Sequence, residues 1–446
     1  MNYHYIPPYG DTTEYIALSK TLKVDQYRGI VYPLVVRISD SIVFHLKIKS
    51  GFTSVLYATQ LVLLLGSSIV FCASLLKKFT DGQLSNRYAI ACALVASFNP
   101  LSIHFGLTVL TDSASASLVL LQAACLINAA ERNSPLKSFS AWLIAAGVIA
   151  IALSNLRIDK SYLSALAFAA LGMSLLLDST EDARMKKIKK IALLICVFIV
   201  TFFIDSLIRS ATTVPNPERP NLSVSAQLFN RAVWPRLSRT LPYLPTNIAD
   251  TITKEQAQDF DSHNNHVFPF QVMALRDPSK GAEYLNTITV TAIEHLYPEI
   301  IGAFLFDLGK YLLPSLAFPL EAIGVLPESV ATSWTISRAS IVSPNITIAY
   351  LWIGSLFYFA VVGFAIMQLK KIRLLPANAR SAVVIVGIYL LGNSVLFALA
   401  FGMNAHIRYA LPTYILTLNF LLVFTVSAAF RTRESTPAQT RYIKGF

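Results

Sequence analysis

Charged residues are scarce in this chain. Of its 446 residues, 14% are charged and 54% are hydrophobic, whereas a soluble domain carries roughly 25% charged residues. The shortage is concentrated in long apolar runs, and the mean hydropathy is +0.55. This composition excludes a water-soluble globular protein and predicts an integral membrane protein.

Cysteine is rare in the chain, and the common catalytic motifs are absent. The four cysteines lie within apolar runs without a Cys-x-x-Cys pair, so neither a disulfide framework nor a zinc site is supported. The Walker A, Gly-x-Gly-x-x-Gly, His-Glu-x-x-His and Gly-x-Ser-x-Gly patterns are absent. Their absence argues against direct nucleotide use, zinc proteolysis and nucleophile-elbow hydrolysis. No cleavable signal peptide is visible, because the first 50 residues contain no continuous apolar core.

Nine segments are apolar and long enough to cross a bilayer, which takes about 20 helical residues. They are residues 55–76, 88–109, 112–130, 140–156, 161–177, 190–208, 346–368, 381–402 and 411–430. The sequence therefore predicts an all-α polytopic membrane protein with about nine transmembrane helices, amphipathic surface helices and a large extracytoplasmic loop.

The net charge of +12 indicates orientation rather than nucleic-acid binding, because the basic residues cluster in short loops. Lys and Arg are dense in 77–87, 131–139, 178–189, 369–380 and the tail from Arg431. These segments are predicted to be cytoplasmic, so the alternate loops face outward. Residues 1–54 then also lie outside. We expect either that the N-terminus is translocated as it stands or, preferably, that one more helix lies upstream.

Five parts follow from this arrangement. They are a first extracytoplasmic loop with an acidic motif (1–54), a six-helix transmembrane module (55–208), a large extracytoplasmic loop (209–345), a three-helix module (346–430) and a cytoplasmic tail (431–446). Within the large loop, apolar residues recur at near-helical spacing over 281–320. Charged residues interrupt this pattern, so it favours an amphipathic helix lying on the membrane over a tenth span.

Two carboxylates are candidates for chemistry on the outer side. Asp11 follows the turn-rich segment 6–10 and is predicted to be the N-cap of a short helix, and Asp112 lies in the turn between the second and third spans. Helix capping alone explains either position. A carboxylate at the membrane surface is also suited to act as a general base towards an acceptor hydroxyl. The two roles are compatible.

Basic residues occur on the same side, where the positive-inside rule disfavours them. One group lies between the fourth and fifth spans and another precedes the ninth: Arg157, Asp159 and Lys160, then His406, Arg408 and Tyr409. Snorkelling to lipid headgroups is one explanation. Binding of a phosphate is the other, because an Arg fork suits its oxygens and Lys supplies a point charge.

A metal site is not predicted, although a divalent metal remains an open alternative. The large loop contains Asp259, Asp261, His263 and His266. A stretch this polar is more often a solvated loop, and no further ligand is specified.

Four short motifs occur in a consistent order. They are Gly-Asp-Thr-Thr-Glu-Tyr-Ile-Ala-Leu (10–18) with Arg-Gly-Ile-Val-Tyr-Pro-Leu (28–34), Asn-Pro-Leu through Leu-Thr-Asp (99–112), Arg-Ile-Asp-Lys (157–160) and Arg-Tyr-Ala-Leu-Pro (408–412). In this order the chain resembles the polytopic C-type (GT-C) glycosyltransferase superfamily, especially its protein mannosyltransferase-like and aminoarabinose-transferase-like branches. The resemblance covers most of 1–177 and 346–412. It implies that a lipid-linked sugar is used on the outer side of the membrane.

The resemblance also implies roles for individual residues. Asp11 corresponds to the catalytic acid of the first loop, and Asp112 to a second acidic residue near it. The residues placed at the donor phosphate are Arg157, Lys160, Arg408 and His406. The residues placed at the acceptor or substrate are Glu14, Tyr15, Arg28, Asp159 and Tyr409.

The predicted function is therefore a membrane glycosyltransferase of the bacterial inner membrane. It would move a hexose or pentose from a polyprenyl-phosphate donor to a hydroxyl on a glycan, lipid or protein acceptor, without a cofactor. The expected partners are this donor, the acceptor and membrane lipids, with no nucleic acid. The alternatives are a polysaccharide polymerase or ligase that uses a lipid-linked glycan, a transporter, and a non-catalytic assembly protein.

Overall fold

A computed structural model of the chain describes most of residues 10–435. The described ranges are 10–24, 28–49, 51–107, 111–131, 134–157, 160–177, 184–214, 224–263, 281–314, 316–317, 320, 323, 325, 344–368, 377–400 and 410–435. Within these ranges the regular structure is helical, apart from an isolated parallel bridge between Val24 and Thr213.

Seventeen α-helices are defined over the described residues. They are α1 (Gly10–Thr21), α2 (Val31–Leu46), α3 (Phe52–Thr80), α4 (Asn86–Ser97), α5 (Pro100–Gly106), α6 (Thr111–Ala129), α7 (Leu136–Leu156), α8 (Lys160–Leu177), α9 (Arg184–Thr212), α10 (Val224–Val233), α11 (Leu237–Thr240), α12 (Thr246–Ala249), α13 (Lys254–His263), α14 (Gly281–Leu312), α15 (Pro344–Met367), α16 (Ala377–Ala400) and α17 (Leu411–Ser435).

Six of these helices contain a stretch long and apolar enough to cross a membrane. The stretches are Phe52–Thr80, Thr111–Ala129, Leu136–Leu156, Met185–Thr212, Ala379–Leu396 and Leu411–Arg431. Two further predicted spans correspond to shorter apolar helices, Ser161–Leu176 and Trp352–Met367. The protein is thus an all-α polytopic membrane protein, as the sequence predicts.

The second predicted span, 88–109, is not one continuous helix. It is divided into α4 and α5 at Phe98 and Asn99. Asn99 has an extended backbone, and its side chain caps α5 by accepting a hydrogen bond from the backbone N–H of Leu101. Pro100 follows as the first residue of α5. A proline disfavours helical geometry in the residue before it and lacks the N–H that a continuing helix would need, so the helix restarts here.

The chain forms two compact units. The first contains residues 1–213, 334–392 and 411–446, and the second contains 214–333 and 393–410. In the first unit, α6 packs against both α3 and α7, and α9 packs on α7. The Ser- and Ala-rich sequence of α6 permits close approach on every side, because small side chains let membrane helices pack tightly.

Several polar side chains buried in the first unit are paired across helices. Tyr389 donates a 2.6 Å hydrogen bond to Gln122 Oε1, and Ser164 donates to the same oxygen at 3.3 Å. Asn419 Nδ2 donates to Ser68 Oγ at 3.4 Å. Such bonds contribute to helix association because hydrocarbon offers no alternative partner.

In the second unit, α10 and α11 pack against α14. The helix α14 is kinked at Leu296, two residues before Pro298, and covers most of the predicted amphipathic segment 281–320. Arg231 donates a hydrogen bond to Asp307, and both side chains are buried. Burial raises the pKa of the Asp307 carboxyl, and the positive charge of Arg231 opposes this shift.

The polar segment that invites a metal interpretation contains a structural carboxylate. Asp261 accepts hydrogen bonds from the backbone N–H groups of Leu237 at 2.8 Å and Ser238 at 3.0 Å. It therefore satisfies free N–H groups at the start of α11. His266 lies outside the described residues.

Candidate active site

Asp112 and Arg157 meet at one end of the helix bundle. Asp112 lies in the first turn of α6, and Arg157 is the residue that ends α7. Because α6 and α7 are consecutive packed helices, the start of one adjoins the end of the other. Nη1 of Arg157 lies 2.9 Å from Oδ1 of Asp112, and Asp112 is only 2% exposed. A charge pair this far from water is held by hydrogen bonding as well as by attraction.

The second oxygen of Asp112 is the chemically informative atom. Oδ2 is buried and has no hydrogen-bond partner among the described residues. The buried hydroxyls of Ser113 and Ser115, on the same turn, are in the same condition. A buried polar atom without a partner costs about 1–3 kcal/mol. One oxygen of Asp112 thus pairs with a cation, and the other has no partner among the residues that the structure describes.

A second cluster joins three of the predicted substrate contacts. Nη2 of Arg28 lies 2.8 Å from Oε2 of Glu14, and the Arg28 guanidinium carbon lies 5.1 Å from the ring centroid of Tyr15. Glu14 and Tyr15 are neighbours on α1, and Arg28 lies just before α2. The pairing therefore holds the first loop against the start of the next helix.

Tyr32 connects the two clusters. Its ring packs edge-on to Tyr15, with 4.9 Å between centroids. Complete burial raises the pKa of the Tyr32 hydroxyl, and the negative charge of the nearby Asp112 raises it further. The hydroxyl donates to Oε1 of Gln60 at 3.3 Å, and Gln60 donates to the carbonyl of Gly106 at 3.2 Å. Tyr32 is thus a neutral phenol packed between the first loop and the acidic turn.

Tyr32 belongs to a sequence motif without a predicted role of its own, and neither Gln60 nor Asp205 is among the predicted site residues. Gln60 and Asp205 lie inside apolar runs that the sequence predicts to be membrane spans. Their signal was a polar side chain close to the outer end of a predicted span. Asp205, on α9, accepts hydrogen bonds from Ser154 and Asn155 of α7.

Of the remaining predicted residues, Asp11 and Lys160 have a described position along a helix. Asp11 is the second residue of α1, so it lies within the first turn rather than at the N-cap, because the helix begins one residue earlier, at Gly10. Lys160 is the first residue of α8. Asp159, His406, Arg408 and Tyr409 lie outside the described residues. Their proposed roles stay predictions.

Gly29 brings the first loop into direct contact with α7. A Cβ atom on this residue would lie 1.7 Å from the carbonyl oxygen of Asn155. That contact is with backbone, so a side-chain rotation cannot relieve it. Only glycine allows the segment that carries Arg28 to approach the last turn of α7 this closely.

Gly29→Ala is expected to destabilise the protein by about 1–3 kcal/mol, since the added methyl group must displace backbone. The measurement is the thermal unfolding midpoint of the detergent-purified protein. Gly66→Ala is the matched control, because a Cβ on Gly66 within α3 meets nothing within 4 Å. Alanine is preferred to glycine there by up to about 1 kcal/mol. The two substitutions should shift the midpoint in opposite directions, and equal shifts would contradict the close approach at Gly29.

No protein-family model matches the chain, and no curated protein matches it. Among solved structures, the crystal structure of ArnT from Cupriavidus metallidurans bound to undecaprenyl phosphate is similar over 97% of this chain and 74% of that chain. The sequence identity is 12% and the TM-score is 0.35. The assignment of a function therefore depends on the residues of this chain.

Proposed function

We propose that the protein is a membrane glycosyltransferase. It transfers a sugar from a polyprenyl-phosphate carrier to an acceptor hydroxyl on the extracytoplasmic side of a bacterial inner membrane. The observation that supports this most strongly is the pairing of the buried Asp112 with Arg157, in which one carboxylate oxygen binds the cation and the other has no hydrogen-bond partner among the described residues. A carboxylate and a cation at one end of a helix bundle are suited to a reaction in which a proton leaves one group and negative charge develops on another.

The proposed reaction is a single displacement. The acceptor oxygen forms a bond to the anomeric carbon of the sugar while the bond from that carbon to the phosphate oxygen breaks. The electron pair of the broken bond stays on the polyprenyl phosphate. The proton of the acceptor hydroxyl passes to the carboxylate of Asp11. The reaction balances without a nucleotide or a covalent enzyme intermediate, which is consistent with the absence of nucleotide motifs in the sequence.

Cations in the site stabilise the phosphate as it gains charge. Arg157 and Lys160 are proposed to bind it, and the same role is proposed for Arg408 and His406. Preorganised charge aimed at a leaving group is often the largest catalytic contribution. Asp112 holds Arg157 at 2.9 Å and so limits how far the guanidinium can turn. Its second oxygen accepts a hydrogen bond from a sugar hydroxyl.

The acceptor is proposed to enter beside α1. Glu14, Tyr15 and Arg28 form a connected cluster there, linked through Tyr32 to the acidic turn. Asp159 and Tyr409 are proposed to complete this surface. A rigid aromatic and ionic wall of this kind would position an acceptor hydroxyl, and positioning accounts for much of the barrier reduction in group transfer.

The proposal is tested by transfer of radiolabelled sugar. Membranes that contain the protein are given a panel of polyprenyl-phosphate hexoses and pentoses, and membranes without the protein serve as the control. Label that moves to lipid, glycan or protein acceptors only when the protein is present would support the assignment. A folded protein that releases no label from any donor would contradict it and favour a transporter or an assembly partner.

A further inference from the structure

Asp205 lies at the centre of a buried network near the end of α9. Its carboxylate accepts hydrogen bonds from Ser154 Oγ at 2.8 Å, from Asn155 Nδ2 at 2.6 Å and from Arg209 Nε at 3.1 Å. Arg209 also donates from Nη2 to the backbone carbonyl of Ser154 at 3.0 Å. Asp205 is only 7% exposed, although it follows a long apolar run.

This network does more than balance charge within one helix. Asp205 and Arg209 are four residues apart on α9, and such a pair needs no third partner. Here both side chains also reach across to α7, to the side chains of Ser154 and Asn155 and to a carbonyl in the last turn. The last carbonyls of a helix lack helical partners, so Arg209 supplies one of the bonds that the end of α7 requires.

Two parts of the candidate site adjoin the last turn of α7, which contains Ser154 and Asn155. Arg157, which pairs with Asp112, follows Asn155 by two residues, and its backbone N–H donates to the carbonyl of Leu153 at 3.0 Å. Gly29, which precedes α2, packs directly on the carbonyl of Asn155. A displacement of the turn would therefore move the cation of the site and the loop that carries Arg28 together.

We infer that Asp205 is a positioning residue of the active site. Its hydrogen bonds to Ser154 and Asn155 fix the position of the last turn of α7. That turn in turn fixes the position of Arg157 opposite Asp112 and the surface on which Gly29 packs. Asp205 itself touches neither the donor nor the acceptor. The inference rests on the proposed function where it concerns catalysis, whereas its structural part is independent of that function.

The kinetic test uses Asp205→Asn, which keeps the side-chain shape and removes the charge. The efficiency of sugar transfer is expected to fall about tenfold, mainly through a higher KM for the donor, because the end of α7 that carries Arg157 is held less firmly. The matched control is Glu131→Gln, which breaks an ion pair with the buried Lys78 at the opposite end of α6 and should leave the KM unchanged.

A double variant separates positioning from charge balance. Asp205→Asn with Arg209→Gln removes both charges of the α9 pair. If Asp205 only neutralises Arg209, the double variant should regain the KM of the wild type, and that recovery would overturn the inference. If Asp205 positions α7, the KM should stay raised, because the bonds to Ser154 and Asn155 are still altered.

Hydrogen–deuterium exchange supplies a readout that does not need enzymatic activity. In Asp205→Asn, the amides of 153–157 and 28–34 are expected to exchange about fivefold faster than in the wild type, which corresponds to a modest local loss of stability. Glu131→Gln should leave those amides unchanged. Wild-type exchange at both segments in Asp205→Asn would overturn the inference even if sugar transfer is never observed. Faster exchange without any transfer by the wild type would support the structural role and reject the proposed function alone.

Discussion

Asp112→Asn is expected to lower the catalytic efficiency of sugar transfer by about 1,000-fold. The asparagine has nearly the same shape but cannot balance the charge of Arg157. Removing one preorganised electrostatic contact from an active site typically lowers kcat by about 100- to 1,000-fold. The substitution also replaces an acceptor-only carboxylate oxygen by a group that can donate, which removes the proposed contact with a sugar hydroxyl.

The control for Asp112→Asn is Asp40→Asn, since Asp40 is exposed on α2 and should tolerate the change. A double-mutant cycle with Arg157→Gln then measures the coupling between the two side chains. We expect the double variant to be no slower than the slower single variant. Either single substitution already removes the interaction between the two side chains, so the second substitution has no interaction left to remove. Transfer by folded Asp112→Asn at a rate within twofold of the wild type would remove this pair from the chemistry.

Asp11→Asn is expected to reduce kcat by about 100-fold or more, the usual contribution of a positioned general base. Asparagine cannot take the proton of the acceptor hydroxyl. The KM for the donor should change little, because Asp11 is proposed to act on the acceptor. The measurement is the rate of label transfer at saturating donor, again with Asp40→Asn as the control.

The dependence of rate on pH gives Asp11 a second test. If a carboxylate is the base, transfer by the wild type declines in acid as that carboxylate becomes protonated. Asp11→Asn should lose this decline and retain only a low, flat rate on the acidic side. Transfer at the wild-type rate by Asp11→Asn would keep the enzyme class and exclude Asp11 as the base. The base would then be sought among the other carboxylates of the site, beginning with Oδ2 of Asp112.

The sequence predicts the membrane class and most of the helices. Long apolar stretches specify spans because burial in hydrocarbon sums over about 20 neighbouring residues and needs no knowledge of the fold. Alternation of the spans then places Asp112 and Arg157 at the same end of the bundle. A proline inside the predicted span 88–109 indicates a kink, but the sequence alone does not show that the helix ends before Asn99 and restarts at Pro100.

The tertiary structure alone decides which polar groups meet. The pairing of Asp112 with Arg157 depends on how α6 packs against α7, and the role of Asp205 depends on the contact of α9 with the end of α7. The requirement for Gly29 follows from a contact between residues far apart in the chain. Apolar content is a property of each segment, whereas hydrogen-bond partners are a property of packed pairs of segments. A single sequence therefore determines the apolar content of each segment directly, whereas the hydrogen-bond partners are decided only when the helices assemble.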